Sequence, residues 1–162
     1  MAVKVIIPTP LRVYAGKRDS TEVQAGSVGD ALAQLTTQFA DLKNAHWLAA
    51  NAEAIPLPDA SQDVVTCIFL FHELPPEVRQ RVTVEMARVL RPGGRLVFMD
   101  SLQMGDKLGW DGLLEAFPVR FHEPYFRNYA IDDLDVRFRN AGLQPVEHAT
   151  PFLSKLVVCV KT

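Results

Sequence analysis

The sequence predicts an α/β fold whose sheet is parallel in its middle and antiparallel at its ends. Three observations predict it. Val64 to Phe71 (VVTCIFLF) and Arg95 to Met99 (RLVFM) are short apolar runs of the kind found in buried parallel strands. Between them, Val78, Val82, Met86 and Val89 recur at helical spacing behind Pro76, which makes a strand–helix–strand unit. Leu143 to Glu147 and Lys155 to Val160 close the chain as two strands joined by a turn near Pro151.

The remaining elements follow in order. Val3 to Ile7 is a β-branched run stopped by Pro8 and Pro10, with Leu11, Val13 and Tyr14 extending it, and Ser20 to Ala25 returns as the second arm of a hairpin. Ser27 opens a helix with Asp30 as capping-box partner and Val28, Ala31, Leu32, Leu35 and Phe39 as its apolar stripe. His46 to Ala50 reads as a short buried strand, followed by a loop through Asn51-Ala52-Glu53 and Pro56 to Asp59. Val64 to Phe71, apolar on both faces, suits the interior of a sheet. Arg91-Pro92-Gly93-Gly94 ends the helix that begins at Pro76. Gln103 to Tyr129 is long and aromatic, with a helical piece around Asp111 to Phe117. Asp132 caps a last helix carrying Leu134, Phe138 and Ala141, which Gly142 stops.

Composition narrows the function. The chain has 162 residues, 48% hydrophobic and 22% charged, enough for one buried core. A formal charge of −2 gives neither the basic footprint of a nucleic-acid binder nor attraction to an anionic membrane. Cys67 and Cys159 lie in apolar strands and read as buried thiols of a reducing compartment. The opening MAVKVIIPTP reads as a strand and not a signal peptide, and no run is long enough to span a bilayer, so a cytoplasmic protein is expected. His46, His72, His122 and His148 are too scattered for a metal site.

From His46 onward, HWLAANAEAIPLPDASQDVVTCIFLFHEL and EMARVLRPGGRLVFMDS resemble a class I S-adenosylmethionine-dependent methyltransferase of the ubiquinone/menaquinone type. The resemblance covers about residues 46–161 and implies a Rossmann-like sheet, mostly parallel, with an antiparallel C-terminal strand pair. Before His46 the family's G-x-G-x-G turn and ribose-binding acid are absent; Gly26-Ser27-Val28-Gly29 reads as a capping turn. VKVIIPTPLRVYAG and EVQAGSVGDALAQL instead resemble the hairpin and helix of a β-grasp sulfur carrier like the molybdopterin synthase small subunit. The close Val160-Lys161-Thr162 lacks that family's Gly-Gly, so sulfur transfer is not expected. The two resemblances together imply a chimera joined near Lys43-Asn44, as an engineered protein would be. The expected architecture is a single domain, 1–162, whose N-terminal β-hairpin (within 1–43) forms an antiparallel edge of the methyltransferase-like sheet (44–162). A poorly satisfied edge near the junction also favours self-association.

The methyltransferase resemblance implies the sites. Asn51, Ala52 and Glu53 follow the third strand, where Asn51 meets the adenine amino group. Phe69 and Phe71 lie where backbone faces the cofactor, and His72 and Glu73 face the methyl acceptor, His72 with the ordinary pKa of a general base. Asp100-Ser101 ends the next strand towards the same crevice, or is simply its polar terminus. Trp110, Phe117, Phe121, His122, Tyr125, Phe126 and Tyr129 form a lid over a small apolar acceptor, or a packed surface segment. The expected function is a methyltransferase-like domain whose S-adenosylmethionine binding is weak or lost and which is therefore inactive. The alternative is an active small-molecule methyltransferase.

Overall fold

Where the sequence alternates between apolar and polar residues, a hairpin forms. In the computed structural model, which describes residues 1–7, 9–44 and 48–162, β1 (Ala2–Ile6) pairs antiparallel with β2 (Ser20–Gln24), Val3 opposite Val23. The hairpin is a two-stranded sheet of its own and not an edge of the larger sheet. Leu11, Val13 and Tyr14 do not extend the strand; Thr9–Ala15 winds as a 3₁₀ helix. Prolines lack the N–H that a ladder needs, so strand pairing stops there. Ser27 caps α1 (Val28–Gln38), its Oγ accepting from the Asp30 amide at 3.1 Å. Ile7, Ala15, Leu35 and Leu42 bury together, with Val5, Leu11 and Phe39 against them.

Residues 1–49 form one compact unit and residues 50–162 a second. Of the strand expected at His46 to Ala50, His46 and Trp47 lie outside the described residues. Leu48 to Ala50 are exposed and outside any strand.

The second unit is built on a four-stranded mixed sheet. Its elements are β3 (Gln62–Ile68), α2 (Pro76–Val89), β4 (Leu90–Ser101), α3 (Asp111–Phe121), α4 (Phe126–Ala130), α5 (Leu134–Asn140), β5 (Leu143–Ala149) and β6 (Ser154–Lys161). The spatial order is β3-β4-β6-β5. β3 and β4 run parallel, the geometry that the α2 crossover imposes, while β4–β6 and β6–β5 are antiparallel. One face of the sheet is the core: Cys67, Leu96, Phe98, Val157 and Cys159 pack on Val82 and Met86 of α2 and on Leu134 and Phe138 of α5.

β3 departs from expectation in place and length. Among the described residues it lies at the end of the sheet order, and it stops at Ile68, with Val64 52% and Ile68 49% exposed on the face turned from that core. Apolarity on both faces did not distinguish an edge strand from an interior one. Arg91-Pro92-Gly93-Gly94 lies within β4 where its register with β3 shifts, and a Cβ on Gly94 would come within 2.8 Å of the Arg91 carbonyl oxygen and 3.0 Å of that of Asp63.

The cap of α5 also shifts by one residue. Asp133, not Asp132, caps it, its Oδ1 accepting from the Val136 amide at 2.9 Å. Asp132 instead binds two arginines, Arg79 at 3.2 Å and Arg137 at 2.7 Å. Arg79 is fully buried; its guanidinium also donates to the carbonyls of Phe71 and Tyr125, each at 2.8 Å, and lies over the Tyr129 ring. The two acids therefore predict different losses. Asp133→Ala removes a cap and costs about 1 kcal/mol. Asp132→Ala strands a buried guanidinium and costs about 3–5 kcal/mol. Urea unfolding of both variants checks this, and equal losses contradict the assignment.

Candidate functional site

At the carboxyl end of the parallel pair the chain makes a sharp turn. β3 ends at Ile68, and Phe69 adopts φ 50 while its amide donates to the Met99 carbonyl at 2.8 Å. The turn feeds a short 3₁₀ helix, Phe71–Glu73. β4 continues beside it and brings Asp100 to the same end, with Leu96 and Phe98 preceding it on the core-facing side. Strand ends of a parallel sheet are where α/β folds gather ligand-handling groups.

Asp100 is fully buried and accepts from three donors: the Phe71 amide at 2.7 Å, the Ser101 amide at 2.7 Å and His72 Nδ1 at 2.5 Å. All three partners of this carboxylate are N–H groups, so it serves as their common acceptor. It also selects the histidine tautomer. With Nδ1–H donating to Asp100, the lone pair of neutral His72 lies on Nε2. The hydrogen bond to Asp100 is the main cause that raises the His72 pKa above 6.5; burial opposes it, while the charges of Asp100, Glu123 and Glu73 add to it.

Aromatic rings surround the imidazole. Phe69 meets it edge-on at 6.4 Å between centroids, and Phe126 and Tyr129 of α4 at 6.2 Å each. Tyr129 is not a second base: its hydroxyl donates to the Ser101 carbonyl, and burial pushes its pKa upward. Cys67 and Cys159 are no nucleophiles, since burial raises both thiols to about 12. Part of the expected lid is a packed cluster, in which Trp110 and Phe117 lie against buried Leu102, Leu114 and Phe126.

The structure thus brings three of the expected residues, Phe69, Phe71 and His72, together around Asp100. Phe71 takes part through its amide, because its ring is fully buried against Phe98 and Phe138. Glu73 is at the margin, with Oε1 3.8 Å from His72 Nε2 and a side chain 62% exposed. Asn51, Ala52 and Glu53 form a separate turn. Asn51 Oδ1 accepts from the Glu53 amide at 3.0 Å, Ala52 packs on the core, and the Glu53 carboxylate pairs with Arg81. Arg88 holds the loop beyond, donating to the carbonyls of Ile55 and Leu57 at 2.9 Å. Among the described residues no hydrogen bond joins this turn to His72 or Asp100, and no cluster of three metal-ligating side chains occurs.

Sequence reasoning named Asp100 but gave it no partner, and Arg79 escaped it. The available signal for Asp100 was an acid in register with Leu96 and Phe98 on the buried side of a strand. No local pattern distinguishes Arg79 from the exposed arginines of a helix.

Known proteins are similar to this chain in sequence and in fold. A methyltransferase domain family matches residues 15–98, just over half of the chain. The 27-O-demethylrifamycin SV methyltransferase of Amycolatopsis mediterranei is 38% identical over 59% of this chain and 34% of its own length. A demethylmenaquinone methyltransferase of Listeria monocytogenes is 37% identical over 56% of this chain and 36% of its own. A tRNA N(3)-cytidine methyltransferase METTL2 of Gallus gallus is 32% identical over 64% of this chain and 29% of its own. The chain therefore spans about a third of the length of these curated relatives. Among solved structures, TnmH superposes with a TM-score of 0.67 at 19% identity, covering 86% of this chain and 41% of that one. A SAM-dependent methyltransferase from Aquifex aeolicus gives 0.57 at 21% identity, covering 86% and 66%. These two likenesses establish the fold alone. By the family match, this chain belongs to the methyltransferase domain family.

Proposed function

We propose that this chain carries the acceptor-activating site of an S-adenosylmethionine-dependent methyltransferase acting on a small molecule. The observation that carries the reading is the contact between His72 Nδ1 and the buried Asp100 carboxylate at the strand ends. Asp100 fixes the ring and its tautomer, and His72 Nε2 accepts a proton from the acceptor as its heteroatom becomes a nucleophile. Asp100 is a positioning residue here. Glu73, exposed beside Nε2, contributes negative charge that favours the imidazolium formed. Two of the relatives are named for small-molecule acceptors and one for tRNA; a net charge of −2 supports the small-molecule side.

Family membership implies S-adenosylmethionine as methyl donor, but the described residues do not fit it fully. Asp100 is fully buried beneath its three donors and Glu53 Oε2 is engaged by Arg81, so neither carboxylate is presented freely to ribose hydroxyls. No G-x-G-x-G turn occurs in the sequence. Asn51 spends its oxygen on its own turn, which leaves its amide N–H groups for an adenine ring, and Phe69, unlike Phe71, remains exposed. These observations favour a second reading, a domain that keeps the fold while gripping the donor weakly. Residues 15–43 fall within the family match, which crosses Lys43-Asn44, and this favours a continuous family chain over a β-grasp graft joined there.

Two measurements separate the readings. Calorimetry with S-adenosylhomocysteine is expected to give millimolar affinity, about a thousandfold weaker than a site with two or three further charge-assisted hydrogen bonds. Micromolar binding that Asn51→Ala abolishes overturns the weak grip. Methyl transfer from saturating S-adenosylmethionine to a panel of small hydroxyl acceptors tests the base. Neutral His72 is needed, and its pKa lies above 6.5, so the rate rises with pH through that raised value. His72→Gln lowers the rate by about 10²–10⁴ and removes the rising limb. A pH profile that His72→Gln leaves unchanged contradicts the assignment.

A further inference from the structure

An open cavity of about 560 Å³ lies at the carboxyl ends of β4 and β5, where β6 begins, and the α4–α5 junction closes its other side. Neither His72, Asp100 nor Phe69 belongs to its lining. Most charges along its wall are already paired. Asp132 holds Arg79 and Arg137, Asp135 lies 2.8 Å from His148 and 3.6 Å from Arg139, and Lys155 donates to Asp106 at 2.7 Å. Two acceptors are left over. Asp133 spends Oδ1 on the cap of α5 and takes part in no ion pair among the described residues, so its charge has no counter-ion there. Gln103 is only 5% exposed, and its side-chain nitrogen donates to the carbonyls of Tyr129 at 2.6 Å and Asp132 at 2.7 Å. Those two carbonyls fix which end of the amide is nitrogen and use both of its hydrogens. Oε1 accepts from no donor among the described residues, where no buried side-chain oxygen is sealed off without a partner; it therefore opens on the cavity that Gln103 lines. The bond to the Asp132 carbonyl also sets this oxygen one residue from Asp133.

We infer that this cavity is a second binding site, separate from the His72 site, that takes a small primary amine: the ammonium donates to Gln103 Oε1 and Asp133 Oδ2, and the apolar body lies along Ile131 and Met104. Neither oxygen can donate, so the group that meets them has to, and a carboxylate without a counter-ion favours a positive one. A primary ammonium carries three N–H donors on one atom, enough for both. A metal ion fits less well, because no cluster of three metal-ligating side chains occurs among the described residues. Ile131 supplies the apolar half. It is 74% exposed between buried Ala130 and the wall acids, a surface that an aliphatic chain covers with a gain in free energy. The inference stands apart from the role assigned to His72.

Calorimetry on the full chain at one ionic strength tests this, with hexylamine, 1-hexanol, hexanoate and methylamine as probes. Hexylamine, protonated at neutral pH as a lysine is, is expected to bind at least about tenfold more tightly than each of the other three. Asp133→Asn removes the charge and keeps the cap, since asparagine caps a helix as well as aspartate does. It weakens hexylamine by about tenfold and melts with the parent. Ile131→Ser, at an exposed position, weakens hexylamine by about fivefold and leaves methylamine unchanged. Equal binding of 1-hexanol overturns the inference by removing the charge requirement, and equal binding of methylamine does so by removing the apolar half. Hexylamine affinity unchanged in Asp133→Asn overturns it as well, and so does displacement of hexylamine by potassium chloride at matched concentration. Competition by S-adenosylhomocysteine reassigns the cavity to the methyl donor, and loss of hexylamine binding in His72→Gln joins it to the histidine site; either result overturns a separate amine site.

Discussion

The site depends on a single buried carboxylate. Asp100 enters the core face of β4 behind Leu96 and Phe98, where an isolated charge is strongly disfavoured. It is tolerable because three donors converge on it, one from its own strand and two from the turn that leaves β3. The requirement runs in both directions. Without the turn the carboxylate lacks partners; without the carboxylate the Phe71 amide is buried unpaired and the His72 ring loses its orientation. The strained backbone at Phe69 and the short 3₁₀ helix both follow from bringing those donors into place.

Behind this arrangement stands a second buried polar group. Arg79, on α2, binds the carbonyl of Phe71 on one side and that of Tyr125 on the other, with Asp132 neutralising its charge. The Phe71 peptide is thus tied at its amide to Asp100 and at its carbonyl to Arg79. Through Tyr125 the same guanidinium fixes the start of α4, whose Phe126 and Tyr129 flank the imidazole. The surroundings of the imidazole are therefore shaped by side chains whose own positions are determined by hydrogen bonds in the core.

Much of this was legible in the sequence, and the rest was not for identifiable reasons. Period and caps were local, so the hairpin, the α2 crossover, the Ser27 cap and the closing strand pair could be read directly. The position of β3 could not, because Val64 and Ile68 are apolar whether they face a neighbour or solvent. Asp132 and Asp133 are adjacent and chemically alike; only the long-range partner Arg79 tells the cap from the ion pair. His72 and Phe69 were legible as candidates from their place at a strand end. The partnership with Asp100 joins residues 28 positions apart and depends on the β3–β4 register, which no local pattern encodes.

Asp100 sets both the tautomer and the proton affinity of His72. Nitrogen-15 NMR titration of the His72 ring, in the parent chain and in Asp100→Asn with the fold checked by circular dichroism, measures this most directly. The parent ring is expected to titrate above 6.5 with the proton of its neutral form on Nδ1, and to fall to about 6.5 or below once the carboxylate charge is removed. A His72 that titrates identically in both proteins, or whose neutral form carries its proton on Nε2, contradicts it.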